Sequence, residues 1–164
     1  MTKSLILAAG IQLLSCAAFA ADATFTVKQL TPETALKAAQ AALTHCRGQG
    51  YQVTVAVVDR AGLTQALIRD RFAGAHTVEI ATNKAWTAAS FRNSTGELER
   101  STRPGTSMGG LRHVPRVTTI AGGLMIEAGG SLVGAIGVSG APGGEADEVC
   151  AAAGVKAIAE DLEL

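Results

Sequence analysis

The stretch Tyr51–Asp70, YQVTVAVVDRAGLTQALIRD, decides how this chain folds. Its two β-rich runs flank a short polar break, Asp59-Arg60-Ala61-Gly62. Aspartate and glycine between apolar runs mark a tight reversal, because Gly62 takes a positive φ without steric penalty. The stretch therefore reads as a β-hairpin. Val53, Val55, Val57 and Val58 make the first strand apolar at nearly every position, the pattern of a strand covered on both faces. The second mixes Leu63, Leu67 and Ile68 with Thr64, Gln65 and Arg69, so one side of it reaches polar surroundings. A hairpin this apolar cannot stand alone in water, and the flanking segments must cover it.

Upstream, Phe25, Val27 and Leu30 read as a short extended arm. Thr31-Pro32-Glu33 is a helix start, with a threonine cap, proline in the first turn and an early acid. Leu36, Ala39, Leu43 and Cys46 follow as one apolar stripe, and Gly48 and Gly50 end the helix. His45 falls off that stripe and reads as a surface residue.

Downstream, Thr77 is placed to cap a second helix running to about Arg92. Its apolar face is built from Val78, Ala81, Ala85, Ala88 and Ala89, small enough to lie close to a sheet or a flat ligand; Trp86 and Phe91 supply bulk. Ser94 or Thr95 caps a short helical piece through Glu99. Leu124–Ala128, the turn Gly129-Gly130 and Ser131–Ser139 form a second hairpin. Leu132, Gly134, Ile136 and Val138 share one face of its last strand, where glycine is tolerated if something approaches closely. Glu145, Asp147 and Glu148 open a final helix, with Val155, Ile158, Ala159 and Leu162 expected as its buried stripe. The order helix, hairpin, helix, loop, hairpin, helix predicts an α+β domain: a mainly antiparallel sheet of four to five strands covered by helices.

With 164 residues, 48% of them hydrophobic, the chain suits a single globular domain with enough core to fold unaided. Its formal net charge is +0, so overall charge gives no argument for nucleic acid as a partner. Residues 1–20 read as a signal peptide, with Lys3, the apolar run Leu5–Phe19 and the small-x-small pattern Ala18-Phe19-Ala20. That run is too short for a stable membrane span. Leu13-Leu14-Ser15-Cys16 offers lipoprotein cleavage as an alternative. The mature domain, residues 21–164, is then periplasmic or secreted. In such a compartment Cys46 and Cys150 are either two buried small hydrophobes or a disulfide joining the first and last helices. Neither a CxxC pair nor a Cys/His cluster points to structural zinc.

Residues 101–117, STRPGTSMGGLRHVPRV, form a long loop inside a compact domain, and such loops are usually functional or disordered. It carries Arg103, Met108, Arg112, His113 and Arg116. Charge is also uneven along the chain. Residues 60–116 hold nine Lys or Arg against four Asp or Glu, and residues 117–164 hold one against seven. Either two solvated faces of opposite sign or a basic rim for an anionic small ligand accounts for this.

Three stretches, VAVVDRAGLTQALIRD, IATNKAWTAASF and GSLVGAIGVSGAPGGEADEVCAAAG, resemble the GlcG/HbpS-like haem-binding family over nearly the whole mature chain. The strand VGAIGVSG followed by an acidic helix start is the most specific part. The chain departs from the family at Ile120-Ala121-Gly122-Gly123-Leu124-Met125, where members commonly end a glycine-rich turn in proline. The resemblance implies a profilin-like αβ sandwich, assembly as a homo-oligomer, and binding of haem. Cobalamin or another anionic tetrapyrrole ranks behind haem.

Haem iron takes His, Met, Cys or Tyr, and its propionates take Arg, Lys or helix N-termini. His113, flanked by Arg112 and near Arg116, and His76, just before the second helix, are the candidate metal ligands. Met108 is a further candidate. Arg103 and Arg112 are candidate propionate partners. Lys84, the lysine of the family's AxxKA helix, pairs either with a propionate or, as a structural residue, with Asp59 or Glu79. Glu145/Glu148 and Glu160/Glu163 read first as solvated helix acids, with iron binding as the alternative. No nucleophile–base constellation is visible, so in any enzymatic reading the haem carries the chemistry. Three readings follow: an exported haem-binding protein for sequestration, delivery or redox sensing; a haem-degrading or haem-dependent peroxidase-like enzyme; and a cofactor-free oligomeric interaction module. The haem readings expect a slot between the glycine-lightened strand and the small-faced helix, closed by the arginine-bearing loop.

Overall fold

The computed structural model describes residues 23–163; the expected leader, with Cys16, lies outside the described residues. Both expected hairpins are present: β1 (Thr54–Asp59) with β2 (Thr64–Arg69), and β3 (Gly123–Ala128) with β4 (Ser131–Ser139). They join through β1 and β4 into one antiparallel sheet of order β2-β1-β4-β3. Val55 faces Val138 and Val57 faces Ile136 in the central register. All six residues of β1 are buried, as its unbroken apolar run requires. β2 is an edge strand, which is why Leu67 is left 41% exposed.

Among the described residues, four α-helices cover the sheet: α1 (Pro32–Gly48), α2 (His76–Phe91), α3 (Thr95–Ser101) and α4 (Gly144–Lys156). α1 and α4 lie over the face carrying Val53, Val55, Val57, Ile136 and Val138, and α2 packs on the opposite face against Val58 and Ala135. Thr31 caps α1 as expected, its hydroxyl accepting from the Thr34 amide at 3.2 Å. Ile126, Ile136 and Ile158 are fully buried, each worth about 1.5–3 kcal/mol in area removed from water.

Three details of the helices differ from expectation. The buried face of α1 is Ala35, Ala38, Ala39, Ala42, Leu43 and Cys46, while Leu36 is turned outward. α4 approaches too closely for a leucine there: a Cβ on Gly154 would stand 2.7 Å from the Ala38 carbonyl oxygen. In α4 the buried residues are Asp147, Cys150, Ala151 and Gly154. The helix ends at Lys156, so the 3.6-residue phase breaks before Ala159, which is exposed, and Leu162, which is half-buried. Finally, α2 begins at His76, and Thr77 is not its cap. The Thr77 hydroxyl is buried, donating to the Gly74 carbonyl at 2.6 Å and sharing a hydrogen bond with Thr54 at 2.7 Å.

The slot expected between β4 and α2 is absent. A Cβ on Gly137 would lie 2.1 Å from the Ala81 carbonyl oxygen and 2.6 Å from the Ala85 amide nitrogen. The glycine and the alanine face bring helix backbone directly onto the sheet, leaving no room for a macrocycle.

Candidate functional site

The loop after α3 contains a short 3-10 helix, Gly109–His113, and its contacts hold it against the body of the protein. Arg112 donates from Nε to the Thr102 carbonyl at 2.7 Å and from Nη2 to the Glu99 carbonyl at 2.8 Å. That guanidinium staples the loop to α3. Arg116, in a left-handed conformation with φ 69°, stacks 4.6 Å from the Trp86 ring centroid. The Thr118 amide donates to the Thr87 hydroxyl at 3.0 Å. His113 and Met108 are exposed on this loop. Arg103 borders a small cleft with Glu99, Arg100, Glu145 and Glu148. His76 is exposed at the first residue of α2. Eleven residues of helix, about 16 Å of axis, separate it from Thr87, where the loop docks.

Lys84 is buried, with a relative exposure of 1%. Its Nζ donates to the Val138 carbonyl at 2.9 Å and to Asp147 Oδ2 at 2.7 Å. The other Asp147 oxygen accepts from the Ala141 amide at 2.9 Å. Neither expected structural partner is the right one. Asp59 closes the β1–β2 turn by accepting from the Ala61 and Leu63 amides, and Lys84 reaches across β4 to the first turn of α4. Burial pulls the Lys84 amine below its ordinary range and lifts the Asp147 carboxyl, and their mutual attraction opposes both shifts. The pair ties α2, β4 and α4 together and leaves no exposed ammonium for a propionate.

A second concave region lies where α1 ends. After Cys46 the chain reverses tightly: the Gln49 and Tyr51 amides donate to the Cys46 carbonyl at 3.0 and 2.9 Å, and the Gly50 amide donates to the Arg47 carbonyl at 2.9 Å. Gly50, at φ 81°, takes the left-handed conformation this reversal needs. The result sets Tyr51 beside the last turn of α1. Cys46 is disulfide-bonded to Cys150, with Cα atoms 5.5 Å apart, and this settles the open reading of the cysteines. The bond brings the early turns of α4 to the same level. Arg47 then clamps the turn from the other side, Nε and Nη2 donating to the two oxygens of Asp70 at 2.7 and 2.8 Å. Those hydrogen bonds hold the Asp70 carboxyl down at about 2.

Between these walls runs an open groove of about 380 Å³ lined by His45, Gln49, Tyr51, Ala146, Val149 and Cys150. His45 is half-buried within it, and Val149 presents an aliphatic side chain that is 58% exposed. Helical spacing alone places His45 outside the core stripe. It does not reveal that α4 and Tyr51 build a second surface around it. The available signal was the juxtaposition of a helix-ending His-Cys pair with a tyrosine directly after Gly-x-Gly.

Comparison with known proteins decides the family. The model of the haem-degrading HbpS-like proteins matches residues 30–156. The chain belongs to the HbpS-like family. The crystal structure of a double mutant of Streptomyces reticuli HbpS is 38% identical, covers 87% of this chain and 97% of its own, and superposes with a TM-score of 0.77. A PduOC:haem complex is 30% identical over 79% of this chain and 95% of its own, with a TM-score of 0.75. The corrinoid adenosyltransferase PduO of Salmonella typhimurium is 36% identical over 98 residues, 57% of this chain and 29% of that protein. The expected αβ sandwich is therefore the HbpS fold.

The donor chemistry of the α1–α4 groove fits a haem. Imidazole and phenol are both side chains that ligate haem iron, and here they share one partly apolar wall. Among the described residues no group of three or more His, Cys, Asp or Glu gathers to hold a bare metal ion. No helix among them is long and apolar enough to cross a membrane.

Proposed function

We propose that this protein is an exported haem-binding protein that holds haem for sequestration, delivery or redox sensing. The observation that carries the reading is family membership across residues 30–156, together with the likeness to a haem complex of the same fold. Bound haem would supply one-electron chemistry; the protein's part is to ligate it, seat it, orient it and limit its exposure to water. The Cys46–Cys150 disulfide supports export, because such bonds persist in oxidising compartments. A leader ending near Ala20, and a mature chain in the periplasm or outside the cell, belong to the same proposal. Homo-oligomeric assembly is supported by the edge strands β2 and β3, each paired on one side only among the described residues, and by exposed Phe25, Leu63, Phe72 and Ile120.

Titration of the metal-free protein with haemin, followed by absorption spectroscopy, tests the reading. One equivalent should produce a shifted, saturable Soret band. A spectrum that stays that of free haemin at stoichiometric ratio eliminates cofactor binding and leaves the interaction module. The family's description as haem-degrading favours a second reading, a haem-degrading enzyme. Its mark is stoichiometric iron release with one defined tetrapyrrole product under ascorbate or peroxide. Undefined bleaching does not count, because free haem bleaches too.

A further inference from the structure

We propose that His45 is the side chain that ligates the iron of the bound tetrapyrrole, in the groove between the end of α1 and the opening turns of α4. The inference rests on the haem-binding reading and assigns its site.

The chain has three histidines, and the structure treats them differently. His76 and His113 are exposed, one at a helix start and one on a loop. His45 is half-buried in a concave groove with a second possible haem ligand, Tyr51, on the same wall. Histidine is the commonest metal-binding side chain, through either ring nitrogen, and the groove leaves one side of this ring open.

The backbone carrying His45 is held from several sides. The disulfide leaves from the next residue, the Arg47–Asp70 pair clamps the one after, and the Gly50 turn returns the chain beneath. Ligand positions that must hold a metal within a few tenths of an ångström are built on supports of this kind. The facing wall is apolar, with Ala146 and the exposed Val149 placed to cover part of a porphyrin face. Because the groove is open, a macrocycle enters by one edge and keeps part of its surface outside.

The test is a haemin titration of the wild type and of His45→Gly, His45→Met, Tyr51→Phe, His76→Ala and His113→Ala, read by Soret position and by electron paramagnetic resonance of the ferric iron. Far-UV circular dichroism and melting serve as folding controls. His45→Gly should lose the wild-type spin signature and bind more than about tenfold more weakly. Millimolar imidazole should restore that signature, a rescue that a purely structural role would not show. If the glycine variant fails to fold, His45→Met decides: a changed ligand-field signature supports the assignment and an unchanged one overturns it. A lost signature in Tyr51→Phe, His76→Ala or His113→Ala, with His45→Gly like wild type, moves the ligand to that residue and overturns the proposal while haem binding stands. Absence of any Soret shift in the wild type removes the haem reading itself.

Discussion

Replacing Lys84 by methionine keeps roughly the length and volume of the side chain but removes the charge that faces Asp147 across 2.7 Å. Asp147 would then sit in the interior with the Ala141 amide still bonded to one oxygen and no cation beside the other. Breaking a buried ion pair at one partner costs about 3–5 kcal/mol. At about 3–4 °C per kcal/mol for a domain of this size, the melting temperature should fall by about 10–20 °C. The double variant Lys84→Met/Asp147→Asn removes both charges and keeps an acceptor for the Ala141 amide. It should recover to within about 1.5 kcal/mol of wild type, because two desolvated charges attract little more than their burial costs. Lys84→Met should also gain stability relative to wild type as pH falls from neutrality. Without its cation the Asp147 carboxyl rises further, so the folded state takes up a proton that the unfolded state does not. Urea titrations of wild type, Lys84→Met, Asp147→Asn and the double variant at pH 7 and 5 give the complete cycle. A Lys84→Met protein that melts with wild type, or a double variant no better than the single, would refute the buried tie between α2 and α4.

Gly137→Val should be more damaging than ordinary overpacking, which costs about 1–3 kcal/mol, because the new side chain meets helix backbone; soluble yield and melting temperature report it, and a wild-type melt contradicts the packing of α2 on β4. Cys46→Ala/Cys150→Ala opens a link spanning 104 residues and should lower stability by up to about 4.7 kcal/mol on chain-entropy grounds. Two free thiols found by mass spectrometry in protein taken from its native compartment would remove that expectation. Asp70 has a depressed carboxyl, so its contribution is complete above about pH 4 and is lost as pH falls towards 2. Asp70→Asn should be less stable at neutral pH and should show a shallower acid loss in that window, read from melting temperatures; parallel acid profiles would show that the Arg47 clamp contributes nothing.

Much of the architecture could be read from local pattern. Both hairpins announce themselves through apolar runs interrupted at Asp59–Gly62 and Gly129–Gly130, and Thr31-Pro32 marks the start of α1 within a residue. What failed were inferences needing a distant neighbour. Leu36 and Ala159 look apolar in isolation, but which turn of a helix faces inward depends on how closely the next helix lies. Asp147 reads as a helix-start acid because its partner, Lys84, is 63 residues away. Glycine in the last strand permits close approach, yet the sequence does not say whether helix or ligand stands there; at Gly137 it is the backbone of α2. The candidate groove was invisible for the same reason. His45, Tyr51 and Val149 meet only because a turn, a disulfide and an ion pair converge on the end of α1.

The most direct measurement is a crystal structure of the protein grown with one equivalent of haemin. The account predicts iron within coordinating distance of His45, the porphyrin edge between α1 and α4, and Val149 against its face. Haem density on the Gly109–His113 turn, at His76 or between α2 and the sheet, with the α1–α4 groove left to solvent, would contradict it.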